Sequence, residues 1–259
     1  MSLTKKKLQS EILPAVETLM RSAGAIMLEA DHIREGVTAK EGRQNFVTEY
    51  DKKVQDLLQK GLAKILPKAL FLGEESDVET DISGGLSWIV DPIDGTTNFI
   101  KGLNMSAVSV ALALDAVPQL GAVYNPFTDE FFSAVKGVGA WLNGSPIHVS
   151  DNDLTDGVVL VGTAPYHEEL ANASFGMMRH YFEMCIDIRR FGSAALDLCF
   201  VACGRAELYL EQLVSPWDCA AGALILQEAG GIVTDLKKKP IQFLKPTSIK
   251  AGNPKAHKR

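Results

Sequence analysis

Trp88-Ile89-Val90-Asp91-Pro92-Ile93-Asp94-Gly95-Thr96-Thr97-Asn98-Phe99 takes the chain from an apolar run, through two acids, into a polar start for a helix. Ser87 to Val90 reads as a short buried strand that stops where the acids begin. Pro92 biases Asp91 toward extended geometry, and its own ring turns the chain. Across that turn the carboxylates of Asp91 and Asp94 can converge, and hard oxygen donors of this kind suit Mg²⁺ far better than zinc. Gly95 permits close backbone approach, while free N–H groups at the following helix start attract phosphate oxygens. Taken alone, a D-x-x-D reads as an ordinary β-turn with an Asp helix cap.

Three further segments join it. Phe71-Leu72-Gly73-Glu74-Glu75-Ser76 follows an amphipathic run and Pro67, so its acids stand at the end of another short apolar strand. By itself Glu74 reads as a solvated acid. Ser215-Pro216-Trp217-Asp218-Cys219-Ala220-Ala221-Gly222 leads into a helix opened by Asp218 and closed by Gly230-Gly231, where Asp218 is either a cap or a ligand. Thr48 and Asp51, in Asn45-Phe46-Val47-Thr48-Glu49-Tyr50-Asp51, have the spacing of a capping box.

With D-P-x-D-G-T-T-N-F, W-D-x-A-A-G and E-A-G-G in this order and G-E-E-S upstream, the chain resembles the inositol monophosphatase family of Mg²⁺-dependent, lithium-sensitive phosphatases over nearly its whole length. The resemblance implies a mixed α+β and α/β fold, a layered αβαβα sandwich of the sugar phosphatase type. Its metal site lies between an N-terminal α+β lobe, residues 1–147, and a C-terminal α/β lobe, residues 148–259. It also implies two or three Mg²⁺ ions. Glu74, Asp91 and the carbonyl of Ile93 would hold the first, and Asp91, Asp94 and Asp218 the second. A third would rest on Glu74 and water. Glu74 and Thr96 would position the attacking water, with Asp51 behind Thr96. The substrate would meet Asp91, Ile93, Asp94, Gly95, Thr96 and Asp218, and beyond them the Gly192-Ser193-Ala194 backbone and Glu211. Glu211 alone reads as a solvated acid. Lys40 matches a family lysine near the phosphate end, or is a surface lysine.

The implied activity is hydrolysis of a phosphate monoester of a small polyol or sugar, inositol monophosphate first, by a homodimeric phosphoric monoester hydrolase. Fructose 1,6-bisphosphate, 3′-phosphoadenosine 5′-phosphate and NADP are the alternative substrates. A macromolecular binding role on the same fold, as in transcription complexes of some bacterial relatives, is the alternative of another class. Where many relatives carry a histidine soon after Asn98-Phe99, this chain has Ile100-Lys101-Gly102. Lys101 is then a surface charge or a cation facing a second phosphate. The Thr97-Asn98 pair argues against the adenine nucleotide branch, which reads D-G-T-K-E-F here.

At 259 residues and 46% hydrophobic content the chain can bury a substantial core. A net charge of −6 disfavours non-specific nucleic-acid or anionic-membrane binding. The N-terminal segment lacks an apolar signal core, and no run approaches a membrane span, so a cytoplasmic location is expected. Cys185, Cys199, Cys203 and Cys219 lack zinc-like spacing and are expected as reduced thiols. The five histidines form no metal or nucleophile motif.

Periodicity places one helix on Leu8, Ile12, Val16, Leu19, Ala23, Ile26 and Ala30, and another on Val54, Leu57, Leu58, Leu62 and Ile65, both covering a sheet. From Ala107 to His148, apolar runs broken at Pro118-Gln119, Asn125-Pro126 and Asn143-Gly144 predict an antiparallel meander. A boundary is expected near Ser145 to Asp153. Beyond it, strands near Val158–Val161 and Ile186–Ile188 should alternate with helices near His167–Phe182 and Ser193–Cys203.

Overall fold

The computed structural model describes residues 3–30, 37–39, 46–76 and 80–259. Helices α1 (Lys5–Lys7) and α2 (Leu13–Leu28) are joined by one π-helical turn, Leu8–Ile12. Strands β1 (Val37–Ala39) and β2 (Phe46–Thr48) form a small antiparallel pair, and α3 (Glu49–Ile65) follows directly. The expected capping box opens α3. The Thr48 hydroxyl accepts from the Asp51 N–H, and the Thr48 N–H donates to Asp51 Oδ2 at 2.7 Å.

A seven-stranded sheet comes next, in spatial order β3 (Leu70–Gly73), β4 (Leu86–Asp94), β5 (Ala107–Leu114), β6 (Val117–Asn125), β7 (Glu130–Val135), β8 (Gly139–Leu142) and β9 (Ser145–Pro146). Only the β3/β4 pair is parallel, so the meander from Ala107 onward is as expected. Its first turn is not. Pro118 lies inside β6, opposite Ala113 at a register shift, and the chain turns instead at Asp115-Ala116 with φ of 50° and 58°. A proline can sit in a strand where its missing N–H falls at an irregularity. The pair of left-handed residues matches the right-handed strand twist, which is what a two-residue hairpin needs.

The second sheet has the order β11 (Asp187–Arg189), β10 (Val158–Val161), β12 (Leu208–Val214), β14 (Thr247–Gly252) and β13 (Ile232–Thr234). Its first three strands are parallel, linked through α5 (Ala171–Phe182) and α6 (Ala194–Ala202), and the last two run antiparallel. Helix α7 (Pro216–Glu228) follows β12, and a short α4 (Thr96–Lys101) follows β4.

The layers are αβαβα, as the resemblance implied. On β5 the residues alternate: Val108, Val110 and Leu112 pack with α2 and α3, whereas Ala107, Ala111 and Ala113 face α6 and α7. Small side chains on the second face let α7 come close. A Cβ on Gly121 of β6 would stand 2.7 Å from the Ala221 carbonyl oxygen. The far face of the second sheet is covered by α5, with Tyr181, Val159, Val161 and Leu210 in a third apolar cluster. The core containing α6 and α7 takes residues from both sheets, so these helices bind the two halves together. All four cysteines are free thiols. No helix among the described residues is long and apolar enough to cross a membrane.

Candidate metal centre and active site

Strand β4 does not stop at Asp91. It runs on to Asp94, with Asp91 opposite Ser109 and Asp94 opposite Ala107, so one extra residue is accommodated between them. This bulge absorbs Pro92, which could not donate to a regular ladder, and it re-aims the two acids. Gly95 then takes φ of +86°, and a Cβ there would lie 2.9 Å from the Met105 carbonyl oxygen, so only glycine fits. Helix α7 begins at Pro216 rather than at Asp218. Ser215 is its cap, and Asp218 closes the capping box by accepting the Ser215 N–H at 2.7 Å. Asp218 therefore serves the helix and still presents an oxygen to the cleft.

One oxygen from each of Asp91, Asp94 and Asp218 lies within 4.8 Å of the others. Glu74, at the end of β3, shares a hydrogen bond with Asp91. Its loop is placed by Gln55 of α3, whose Oε1 accepts the Glu75 N–H at 2.9 Å. Asp91 and Asp94 are buried. Burial pushes the Asp91 carboxyl well above the usual range, and the charges of Glu74, Asp94 and Asp218 push it further. Asp218 is raised by burial, then by Glu74 and Asp94. Asp94 is raised to about 6 by burial, opposed by hydrogen bonds from Ser193 and Ala195. The Ser193 hydroxyl donates to Asp94 Oδ2 at 2.5 Å and the Ala195 N–H donates to the same oxygen at 2.7 Å.

The charges acting most strongly on Asp91 are all negative, and the donor set is oxygen alone. That arrangement calls for a hard cation, and the residues present fit one. Ser193→Ala would remove a hydrogen bond that orients one acid from behind, and metal affinity measured by calorimetry should fall roughly tenfold.

Thr96 Oγ1 lies 3.1 Å from the Ile93 carbonyl oxygen and 3.4 Å from Asp51 Oδ1. Burial raises Asp51 to about 6 against hydrogen bonds from Thr48. Two acids with raised folded-state pKa values, Asp51 and Asp94, give the folded protein more bound protons than the unfolded chain between about pH 4 and about pH 6. Their contribution is full below that window and is lost as pH rises through it. Chelator-treated protein should therefore melt lower at about pH 8 than at about pH 5, and added Mg²⁺ should raise Tm more at the higher pH. Equal metal-induced shifts at both would contradict this.

A cavity of about 370 Å³ opens over the acids, a size suited to a small ligand. Gly95, Thr96, Gly192, Ser193, Ala194 and Glu211 all reach its wall. Glu211 is not a solvated loop acid. It is buried on β12, accepts the Ala164 N–H at 2.8 Å and the Tyr209 hydroxyl, and lies so close to Gly162 that a Cβ there would be 1.9 Å from its Oε2. Lys101 is exposed on α4 and is not part of the wall. Lys40 lies outside the described residues.

Sequence reasoning passed over four residues here. Asn98 donates to the carbonyls of Met105 and Phe191, both at 2.7 Å, and so ties α4 to the loop of Gly192. Tyr166 and Arg190 reach the wall from loops whose path no local pattern shows. Asp197 is buried on α6, its Oδ1 has no hydrogen-bond partner among the described groups, and burial holds its carboxyl well above the usual range. An acid in the first turn of an apolar helix also suits the helix dipole, so its position in the sequence does not set it apart.

A sequence profile of the inositol monophosphatase family matches residues 8–259. The chain belongs to the inositol monophosphatase family. Among similar proteins, an inositol monophosphatase from Mesembryanthemum crystallinum is 37% identical over 252 residues, covering 95% of this chain and 92% of the relative. The Nus factor SuhB of Pasteurella multocida is 38% identical over 217 residues, 83% of this chain and 81% of that one. The crystal structure of the extragenic suppressor protein suhB from Bartonella henselae superposes with a TM-score of 0.88 at 35% identity, covering 95% of each chain. The family is one of metal-dependent phosphatases, and the acid cluster gives this member a place for the metal.

Proposed function

We propose that the protein hydrolyses a phosphate monoester of a small polyol or sugar, inositol monophosphate first, with Mg²⁺ as its metal. The observation that carries this is the convergence of Asp91, Asp94 and Asp218, with Glu74 beside them, on one cavity of ligand size. Bound Mg²⁺ would neutralise these acids, attract the phosphoryl oxygens and favour ionisation of the attacking water. Glu74, Asp91 and the Ile93 carbonyl would hold one ion, and Asp91, Asp94 and Asp218 another. Glu74 and Thr96 then orient the water. The Thr96 hydroxyl can donate toward Asp51, which leaves its oxygen free to accept a hydrogen bond from that water, and a proton taken from the water would be matched by the hydroxyl's own proton passing to Asp51. The Gly95–Thr96 backbone would receive the phosphate, and Glu211 with the Gly192–Ala194 backbone would face the hydroxyls of the alcohol. The residue division at 147/148 would place the hydroxyl side of the pocket, with Asp218, on the second lobe.

Phosphate release from inositol 1-phosphate, fructose 1,6-bisphosphate and adenosine phosphates, with Mg²⁺, with chelator and with Mg²⁺ plus lithium, tests the reading. Metal-dependent, lithium-sensitive turnover of one ester class supports it. No turnover of any ester by folded, Mg²⁺-supplied protein would defeat it. A second reading, a macromolecular binding role, is favoured by the similarity to relatives named Nus factor SuhB, and would then take its place.

A further inference from the structure

We propose that Lys250 and Tyr181 form the floor of an anion site on the face of the second sheet that turns away from the cavity, built for a small tetrahedral oxyanion such as inorganic phosphate. This site lies outside the catalytic cavity and does not depend on the phosphatase reading.

The strand register places it. On β12, Leu210 and Glu211 point to opposite faces. Glu211 reaches the cavity, whereas Leu210 joins Tyr181 in the apolar cluster covered by α5. Lys250 of β14 stands directly opposite Leu210, and Thr234 of β13 directly opposite Lys250, so the three share the far face. Lys250 is therefore across the sheet from Glu211 and the cavity.

Lys250 is 4% exposed, and its ammonium donates to the Tyr181 hydroxyl at 3.1 Å, its one acceptor among the described residues. An ammonium has three donors, so two are left over, and the proton of the Tyr181 hydroxyl meets no acceptor either. No ion pair closes on Lys250 among the described residues. The acids close to these elements in the chain are engaged elsewhere. Asp235 Oδ1 accepts the Lys237 and Lys239 N–H groups at 2.8 and 2.7 Å, Glu183 pairs with Arg179, and Asp187 with Arg189. A buried cation without a counter-charge is strongly unfavourable, so the fold leaves a charge to be matched from outside.

More positive charge stands beside it. Thr234 Oγ1 lies 3.0 Å from His257 Nε2, and the adjoining Lys258 carbonyl accepts from Lys238 Nζ at 3.4 Å, which brings Lys238 to the same edge. From Leu236 to Arg259 the chain carries eight lysines and arginines and no Asp or Glu, although its net charge is −6. Unused donors among cations suit an anion with several acceptor oxygens. Because Lys250, Tyr181 and His257 are all buried, a small ion fits this floor better than a bulky ester.

Burial lowers the Lys250 pKa, and an amine that stayed neutral against Tyr181 would need no anion. The two cases separate in a titration with inorganic phosphate, followed by calorimetry and thermal melting. Chelator-treated protein is used, because its catalytic acids then repel the ion. Wild type is compared with Lys250→Met, Tyr181→Phe, Lys238→Met and, as a cavity control, Arg190→Met. Sodium chloride at matched ionic strength accounts for screening.

We expect one saturable site in wild type, a loss of affinity of about tenfold or more in Lys250→Met, smaller losses in Tyr181→Phe and Lys238→Met, and no change in Arg190→Met. Sulfate, of the same shape, should compete. Phosphate should raise the Tm of wild type above its value in chloride and leave that of Lys250→Met unmoved. No saturable binding by wild type, equal affinity in Lys250→Met, or a loss confined to Arg190→Met would overturn the inference. Should Lys250→Met not fold, unchanged affinity in both Tyr181→Phe and Lys238→Met would overturn it equally.

Discussion

Asp91→Asn should lower kcat/KM for any phosphate monoester by about a thousandfold or more, equivalent to roughly 4 kcal/mol of transition-state stabilisation. Asp218→Asn should do the same. Both side chains converge on one point with Asp94, and amides keep their shape while removing the charge that a hard cation needs. The fold should survive. In Asp218→Asn the new amide oxygen can still accept the Ser215 N–H, so the start of α7 keeps its cap. Relief of like-charge repulsion should leave the metal-free variants at least as heat-stable as wild type. The informative readout is the pair of measurements together. Turnover within tenfold of wild type in either variant would remove that acid from the metal site, and a collapse of Tm would assign it a structural role instead.

Gly121→Ala carries the largest expected effect on stability. The new Cβ would meet backbone, with the Ala221 carbonyl oxygen at 2.7 Å and the Ala221 Cα at 3.1 Å, so no side chain can swing aside. Helix α7 would have to lift from β6, disturbing a core built from Ala220, Ala221 and Ala223 against Ala111 and Val123. Overpacking of this kind costs about 3 kcal/mol, which in a protein of this size lowers Tm by roughly 6–10 °C. Gly84→Ala is the matched control, since a Cβ there meets nothing within 4 Å. A Gly121 variant that melts with the control would mean that the helix does not rest on the strand backbone.

What could be read from the sequence was local pattern, and what could not was register and long-range approach. The stripes of α2 and α3 and the capping box at Thr48 and Asp51 follow from neighbours within two turns of chain. Glu74, Asp91, Asp94 and Asp218 were found because their motifs are contiguous and ordered, and the fold brings them to one cavity. The hairpin at Asp115-Ala116 was missed because Pro118 is the stronger turn signal, although the sheet tolerates a proline where its register shifts. The continuation of β4 through Pro92 has the same cause. Asp197 acquires meaning only from chain distant in sequence, because it sits on a helix that both sheets bury.

The position of α7 after the strands it covers has a consequence for biosynthesis. As the nascent polypeptide leaves the ribosome, β4 to β8 and the acids Glu74, Asp91 and Asp94 emerge well before the thirteen residues of Pro216–Glu228. Until they arrive, the alanine-rich face of the first sheet, including Ala111, Val123, Phe132 and Ala134, lacks its covering helix. The same helix delivers Asp218. Closure of the hydrophobic interior and completion of the acid cluster are thus one late event, so truncated or stalled chains are sticky and lack the third acid for a single reason.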